Sequence, residues 1–527
     1  MDADDLVSYP RFDSPSMSLT ANIGTPLMPA VPDQLQSRIV SGIRWTVWAT
    51  ALTAPLAYCV STLLARMGPE VVGAFGLTGI YSWFASTFLF LGGGAVVMKF
   101  IPSLRREKQL SFLACYLLVV LVLALPWQIA GTLKPSILLY AFGNSGSPAM
   151  HVLLLWIAPL YVFYLLVDSA LAALLEIRYQ QLLRRCMSVM AFLAYTTAFF
   201  LGRDFLARHY VPLIWTVYLG LSVGAAVAGA RRVIKVCKGQ LGSMDLSVFL
   251  PAGFWKYTLG VQASSMLGLF SSLAGILTLN VGGISAFGRF VALMAIVALI
   301  DKPVQLVLST FLPSLTNALE LPEPEVASAV VALWSRLLLA SALAGSVVVS
   351  LLAAPLVHLF GRGYAELVLL VPIACAGAAI DALNQLAGSL FYAVSRPYAN
   401  MAGQLARLLA LLVCFWPLWT RYHLLGSILA LVASQAAQCV VQVAMLTANK
   451  TLFRAALSRT LAPYVVTLGS VLVLSRWTMA WAVGGRIAIY AACLPAFFLA
   501  AGYSAKELAA LARLVLPGKS AASVQTM

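Results

Sequence analysis

The sequence predicts an all-α polytopic membrane protein of about 14 transmembrane helices, arranged as two parallel six-helix repeat lobes plus two C-terminal helices. Three observations predict it. Of the 527 residues, 61% are hydrophobic and only 10% are charged, against roughly 25% charged in soluble domains. The apolar residues fall into runs of the length that crosses a bilayer, about 20 residues per helix. The two halves of the chain also repeat one another. Together these features exclude a soluble multidomain enzyme and leave almost no chain for a soluble catalytic domain.

The elements follow in order. Residues 1–36 hold five prolines, five aspartates and a single base, Arg11, so they predict a disordered tail. Its acidic start, with no apolar stretch before Val40, is not that of a signal peptide. Residues 37–240 form the first lobe, with spans at 40–65, 73–98, 110–133, 151–175, 183–202 and 210–230. Residues 241–450 form the second, with spans at 254–279, 286–314, 328–354, 366–393, 399–419 and 424–448. Spans 13 and 14, at 461–475 and 480–502, occupy residues 451–502. In the final segment, 503–527, Ser504 and Glu507 have capping-box spacing ahead of Leu508, Leu511 and Val515. That segment predicts a short amphipathic helix on the membrane surface, ended by Pro517 and Gly518.

The net charge of +16 would suggest nucleic acid as partner for a soluble protein, but here it has a topological cause. Lys and Arg collect in cytoplasmic loops. The tails and even-numbered loops hold 24 of the bases and the odd-numbered loops 9, with Lys302 inside a span. Both termini are therefore expected in the cytoplasm, and Arg231, Arg232, Lys235 and Lys238 mark that side most strongly. The loop 315–327 dissents with Glu320, Glu323 and Glu325, although acids weigh little in this rule. The eight cysteines lie mostly within apolar runs and predict no disulfide framework.

The repeat runs at an offset of 211 to 213. Ala74–Gly76 (AFG) recurs at Ala286–Gly288, and Pro102–Leu104 (PSL) at Pro313–Leu315. Arg44 pairs with Lys256, Pro159 with Pro372, Asp168 with Asp381, Tyr179 with Tyr392, and Arg208 with Arg421. Six spans return the chain to its starting side, so the lobes share one orientation and enclose a cleft, the general setting for alternating access.

The six-plus-six-plus-two layout, Gly92–Gly94 with the following IPSL, the matching AFG-to-LPSL stretch, and HLFGRGY at His358–Tyr364 carry a resemblance. The sequence resembles the multidrug/oligosaccharidyl-lipid/polysaccharide flippase superfamily, in particular its bacterial polysaccharide, O-antigen-type branch. This resemblance implies movement of a polyprenyl-pyrophosphate-linked oligosaccharide across the bacterial inner membrane, driven by an ion gradient. It also implies a polysaccharide polymerase and export complex as possible partners.

Helix breaks at matching positions point to a transporter's site. Gly92–Gly94 in span 2 align with Pro303–Gln305 in span 8, beside Asp301 and Lys302. Charges at mid-bilayer cost about 2.5–3.5 kcal/mol, so these two should face protein or water. Lys302 then binds a phosphate or acidic sugar while Asp301 tunes it or takes a proton; the alternative is a structural pair. Asp168 and Asp381 sit inside spans 4 and 10, each followed by polar residues: Glu176 and Tyr179, or Asn384, Gln385 and Tyr392. A carboxylate alternating between water and protein interior can carry a coupling proton, and the competing reading is an architectural tie. Arg44, Lys256 and Arg289 are candidates for a substrate's pyrophosphate head, with snorkelling to the interface as the alternative for Arg44 and Lys256. Arg336 and Arg407 are weaker candidates. The stripe of Gln435, Gln438 and Gln442 offers partners to sugar hydroxyls or to neighbouring helices.

His151, His209, His358 and His423 have no metal-ligand spacing, and there is no P-loop or Gly-x-Ser-x-Gly elbow. No cofactor, metal or enzymatic activity is expected. A cation-coupled multidrug antiporter is the alternative, opposed by a first span, Trp45–Ala65, that holds no acid. A glycan polymerase is the third reading, opposed by the short outer loops.

Overall fold

The apolar runs become helices because a chain in lipid must satisfy its backbone hydrogen bonds internally. A computed structural model of the protein describes residues 55–76, 87–134, 148–237, 253–319, 324–447, 461–477 and four positions between 484 and 489, with 57, 74, 202, 271 and 272 excepted. The N-terminal tail, Arg44, most of span 14 and the amphipathic segment after Ser504 lie outside the described residues. Among the described residues there is no strand.

The helices are α1 (58–65), α2 (69–73), α3 (Gly93–Ser103), α4 (Arg106–Leu133), α5 (Pro148–Ala173), α6 (Ile177–Leu201), α7 (Arg203–Val236) and α8 (Phe254–Phe270). There follow α9 (Leu273–Leu319), α10 (Pro324–Leu351), α11 (Ala353–Phe360), α12 (Leu367–Ala393), α13 (Pro397–Tyr422), α14 (Leu424–Thr447) and α15 (Leu461–Trp477). Six described segments are long and apolar enough to cross a membrane, and the protein is a multi-pass membrane protein. Pro148, Pro324 and Pro397 open their helices, where the missing N–H costs no intrahelical bond.

Helices α5 and α12 end in the same way. Leu175 and Ser395 both adopt positive φ, 57° and 58°. Glu176 N–H donates to Leu171 O and Leu175 N–H to Ala172 O; Arg396 donates to Phe391 O and Ser395 to Tyr392 O. This is a Schellman stop, which satisfies the last carbonyls before the chain reverses into the next helix. The two turns are offset by 220 residues, not 213. The register of the repeat therefore changes between its second and fourth helices, and the pairing of Asp168 with Asp381 is corrected, together with those of Pro159 with Pro372 and Tyr179 with Tyr392. Asp168 is structurally equivalent to Gly388, and Asp381 to Tyr161. The same turn separates Glu176 and Tyr179 from α5, so they do not continue a stripe from Asp168.

The segments that carry the two AFG strings meet in space. A Cβ on Gly288 would lie 1.7 Å from the Pro69 carbonyl oxygen, and one on Gly76 would lie 2.5 Å from the Val291 side chain. The two glycines thus let the halves approach closely at the end predicted to be extracytoplasmic. There Tyr58 Oη donates to Leu356 O at 2.5 Å and Arg66 Nε to Leu359 O at 3.2 Å.

Three apolar clusters fill the interior. One joins α3, α4, α5 and α7 with the start of α8, through Phe112, Tyr116, Leu171 and Phe254. A second, around Trp334, Phe311 and Phe391, joins α9, α10, α12 and α15. The third brings Tyr58 and Leu64 of the first half against Phe360, Phe415 and Trp419 of the second. Span 13, as α15, docks on the second half, where Tyr464 Oη donates to Ala379 O at 3.2 Å.

Candidate functional site

Helix α9 passes through the middle of the molecule. Only Gly283 departs from helical geometry along it, so the break expected at Pro303 is absent and the helix runs straight through that proline. The break at Gly92–Gly93 is present, with φ of 71° and 60°. The matching break of the second half therefore does not exist at this depth, because a proline removes one donor while packing on both sides keeps the helix formed.

Asp301 and Lys302 are neighbours on α9 and point about 100° apart, into different surroundings. Lys302 is accessible and lies within electrostatic range of Arg184 and Arg185 on α6 of the first half. It makes no salt bridge among the described residues. It is thus exposed on α9, with two cations of the first half in range. Arg184 is engaged by Asp168 through Nε to Oδ1 at 2.8 Å and Nη2 to Oδ2 at 2.5 Å, and Gln180 Nε2 donates to the same carboxylate at 3.1 Å. Arg185 Nη2 donates to Gln181 Oε1 at 2.9 Å. Asp168 and the adjacent Asp301 thus stand among these three cations.

Asp301 faces into the second half. With Asp381 and Gln435 it lines a cavity of about 60 Å³ whose other walls are apolar, among them Met294, Val297 and Ile428. Asp381 accepts from Arg407 Nη1 at 2.7 Å and from Gln385 Nε2 at 2.9 Å. Arg407 also donates to Gln438 Oε1 at 3.2 Å, and Gln305 Nε2 to Gln385 Oε1 at 2.8 Å. Four helices are joined by this network. Gln435 Oε1, which has no hydrogen-bond partner among the described residues, is a further oxygen ligand available to a cation in the cavity.

Of the residues singled out from sequence, Asp301, Lys302, Asp168 and Asp381 surround the central region. Arg289 instead pairs with Glu366 at 2.8 Å, toward the closed end. Lys256 is exposed in the first turn of α8 beside exposed Trp255 and Leu259. Arg184 and Arg185 were not legible as site residues, because a span beginning at 183 leaves them at its rim. The signal was the turn at 174–176, which starts α6 at Ile177 and carries both arginines about two turns inside.

The arrangement of helices has known counterparts. A multidrug resistance MATE family transporter of the MOP superfamily, in its outward-facing conformation, superposes with a TM-score of 0.61 at 14% identity, over 80% of this chain and 96% of that one. The chain has the fold of the MATE transporters. A MATE in the bent conformation gives 0.58 at 16% identity, over 80% and 97% of the two chains. A mutant of the Vibrio cholerae MATE transporter VcmN gives 0.55 at 15%, over 80% and 98%. No protein-family model matches the chain, and no curated protein matches it in sequence.

Proposed function

We propose that the protein is an ion-coupled exporter that works by alternating access and moves an anionic amphiphile, a polyprenyl-pyrophosphate-linked oligosaccharide, between the leaflets of the bacterial inner membrane. One observation carries this reading: Lys302 of one half lies within electrostatic range of Arg184 and Arg185 of the other. Charge-assisted bonds from such a cluster hold phosphate oxygens, and a cluster shared between two halves is assembled or separated as they rock. Asp301 and Asp381 are the coupling groups, since they face a small cavity that a proton or a small cation could occupy. In this reading both termini are cytoplasmic, the glycan is destined for exopolysaccharide, capsule or O-antigen, and a polymerase receives the product.

A second reading, a multidrug antiporter, is favoured by the fold likeness and by the same acidic, largely apolar cavity. One experiment separates the two. In proteoliposomes carrying a fluorescent polyprenyl-pyrophosphate oligosaccharide in one leaflet, gradient-dependent leaflet exchange supports the flippase. Efflux of a cationic dye without exchange of the lipid supports the antiporter.

A further inference from the structure

The break ahead of α3 is held together from the other half of the molecule. In an unbroken helix Gly92 N–H would donate to residue 88 and the Thr87 carbonyl would accept from residue 91. Here Gly93 N–H turns back to Phe90 O at 2.8 Å, and both groups are left over. A single side chain takes both: Gln262 of α8 accepts from Gly92 N–H through Oε1 at 2.7 Å and donates through Nε2 to Thr87 O at 2.9 Å. The carbonyl of Leu91 is taken by Tyr116 Oη. Gly92, at φ 71°, has no room for a side chain, because a Cβ would lie 2.4 Å from Val96 and 3.2 Å from the Thr258 carbonyl oxygen. Gln262 is buried, so its amide has no water to fall back on, and leaving either partner unmet carries the full desolvation penalty.

On either side of this point the same stretch of chain touches the second half through contacts of another kind. Toward one end are the glycine contacts of Gly73 and Gly76 with Ile284 and Val291. Toward the other, Lys99 Nζ donates to Ala393 O at 2.9 Å, and Phe100 packs on Phe254 and Tyr257. The second half has no such break at this depth.

We infer that the Gln262 amide, bonded to both sides of the Gly92 break, is the joint about which the two halves rock. The inference rests on the alternating-access reading. A side chain that bridges a break tolerates a change of angle between the two helical pieces while its own bonds persist, whereas the contacts at the two ends must separate.

The test uses the full-length protein in lipid nanodiscs, with spin-label pairs at Met67 and Leu359, at Ser103 and Ser395, and at Phe88 and Leu259 beside the joint. Distances are measured at acid and at alkaline pH, with and without sodium. The expected result is opposite shifts of the two end pairs with an unshifted joint pair, and a broadened joint distance in Gln262→Leu. A joint pair that shifts as far as the ends overturns the joint while leaving rocking intact. Ends that never move overturn both. A Gln262→Leu protein with the wild-type distribution removes Gln262 from the role, and the wild-type distances stand as a test even if that variant fails to fold.

Discussion

Lys302 is a cation without a salt bridge among the described residues, inside a protein where Asp168, Asp381, Glu176 and Glu366 each hold an arginine. Its removal should therefore cost little stability and much binding. Lys302→Ala is expected to weaken an anionic substrate by about ten- to hundredfold, the worth of a charge-assisted bond, at wild-type levels of folded protein; binding of the labelled lipid-linked glycan in detergent measures it. The carboxylates should divide by the same logic. Asp381→Asn leaves Arg407 half-buried without its counter-charge, and breaking such a pair costs up to about 3 kcal/mol, the value for a fully buried pair being discounted for partial exposure. Asp301→Asn breaks no ion pair among the described residues, so it should melt near wild type yet lose the dependence of transport on the ion gradient. Equal melting losses in the two variants would contradict this division. From sequence, the chemistry of Lys302 and Asp301 was legible because charges in mid-span are rare. The ion pairs of Asp168 and Asp381 were not, since Arg184 and Arg407 each come from another helix.

At the level of elements, the turns after α5 and α12 show what a low-complexity helix conceals. Pairing Asp168 with Asp381 in sequence rested on nine-residue spacings to Pro159 and Pro372 in stretches of Ala and Leu. Such stretches fit several registers. The backbone settles it, since two Schellman stops with non-glycine residues at positive φ lie 220 apart. The second half is a net eight residues longer than the first between the AFG contact and this turn. The two ion pairs consequently sit at different depths, Asp381 about 10 Å farther from its turn than Asp168 from its own. The turn also makes a stability prediction. A non-glycine residue in the left-handed region costs roughly 1–2 kcal/mol, and Ser395 is exposed, so nothing offsets the strain by packing. Ser395→Gly is expected to stabilise the protein by about 1 kcal/mol, read as a raised melting temperature in detergent.

At the scale of the whole molecule, the closed end is held by contacts of two kinds that must fail together if the cleft is to open there. Gly288 packs backbone against backbone on Pro69 and Gly73, while Gly73 and Gly76 receive the branched side chains of Ile284 and Val291, which have little rotamer freedom to loosen gradually. The hydrogen bonds of Tyr58 and Arg66 to α11 carbonyls are lost once the halves part. An enlarged residue and a covalent tie should therefore act in opposite directions. Gly288→Val cannot close, because its Cβ would occupy the space of the Pro69 carbonyl oxygen; cysteines placed at Arg66 and Leu359, in a chain with its native cysteines replaced, should then fail to cross-link. In the parent chain a short bis-methanethiosulfonate reagent, whose spacer replaces the reach of the arginine, should bridge the same two cysteines, since Arg66 Nε lies 3.2 Å from Leu359 O. That bridge should stop transport, and reduction should restore it. Transport that continued through the cross-linked protein would mean that this end need not open, and the two halves would then have to exchange substrate by a route other than the central cleft.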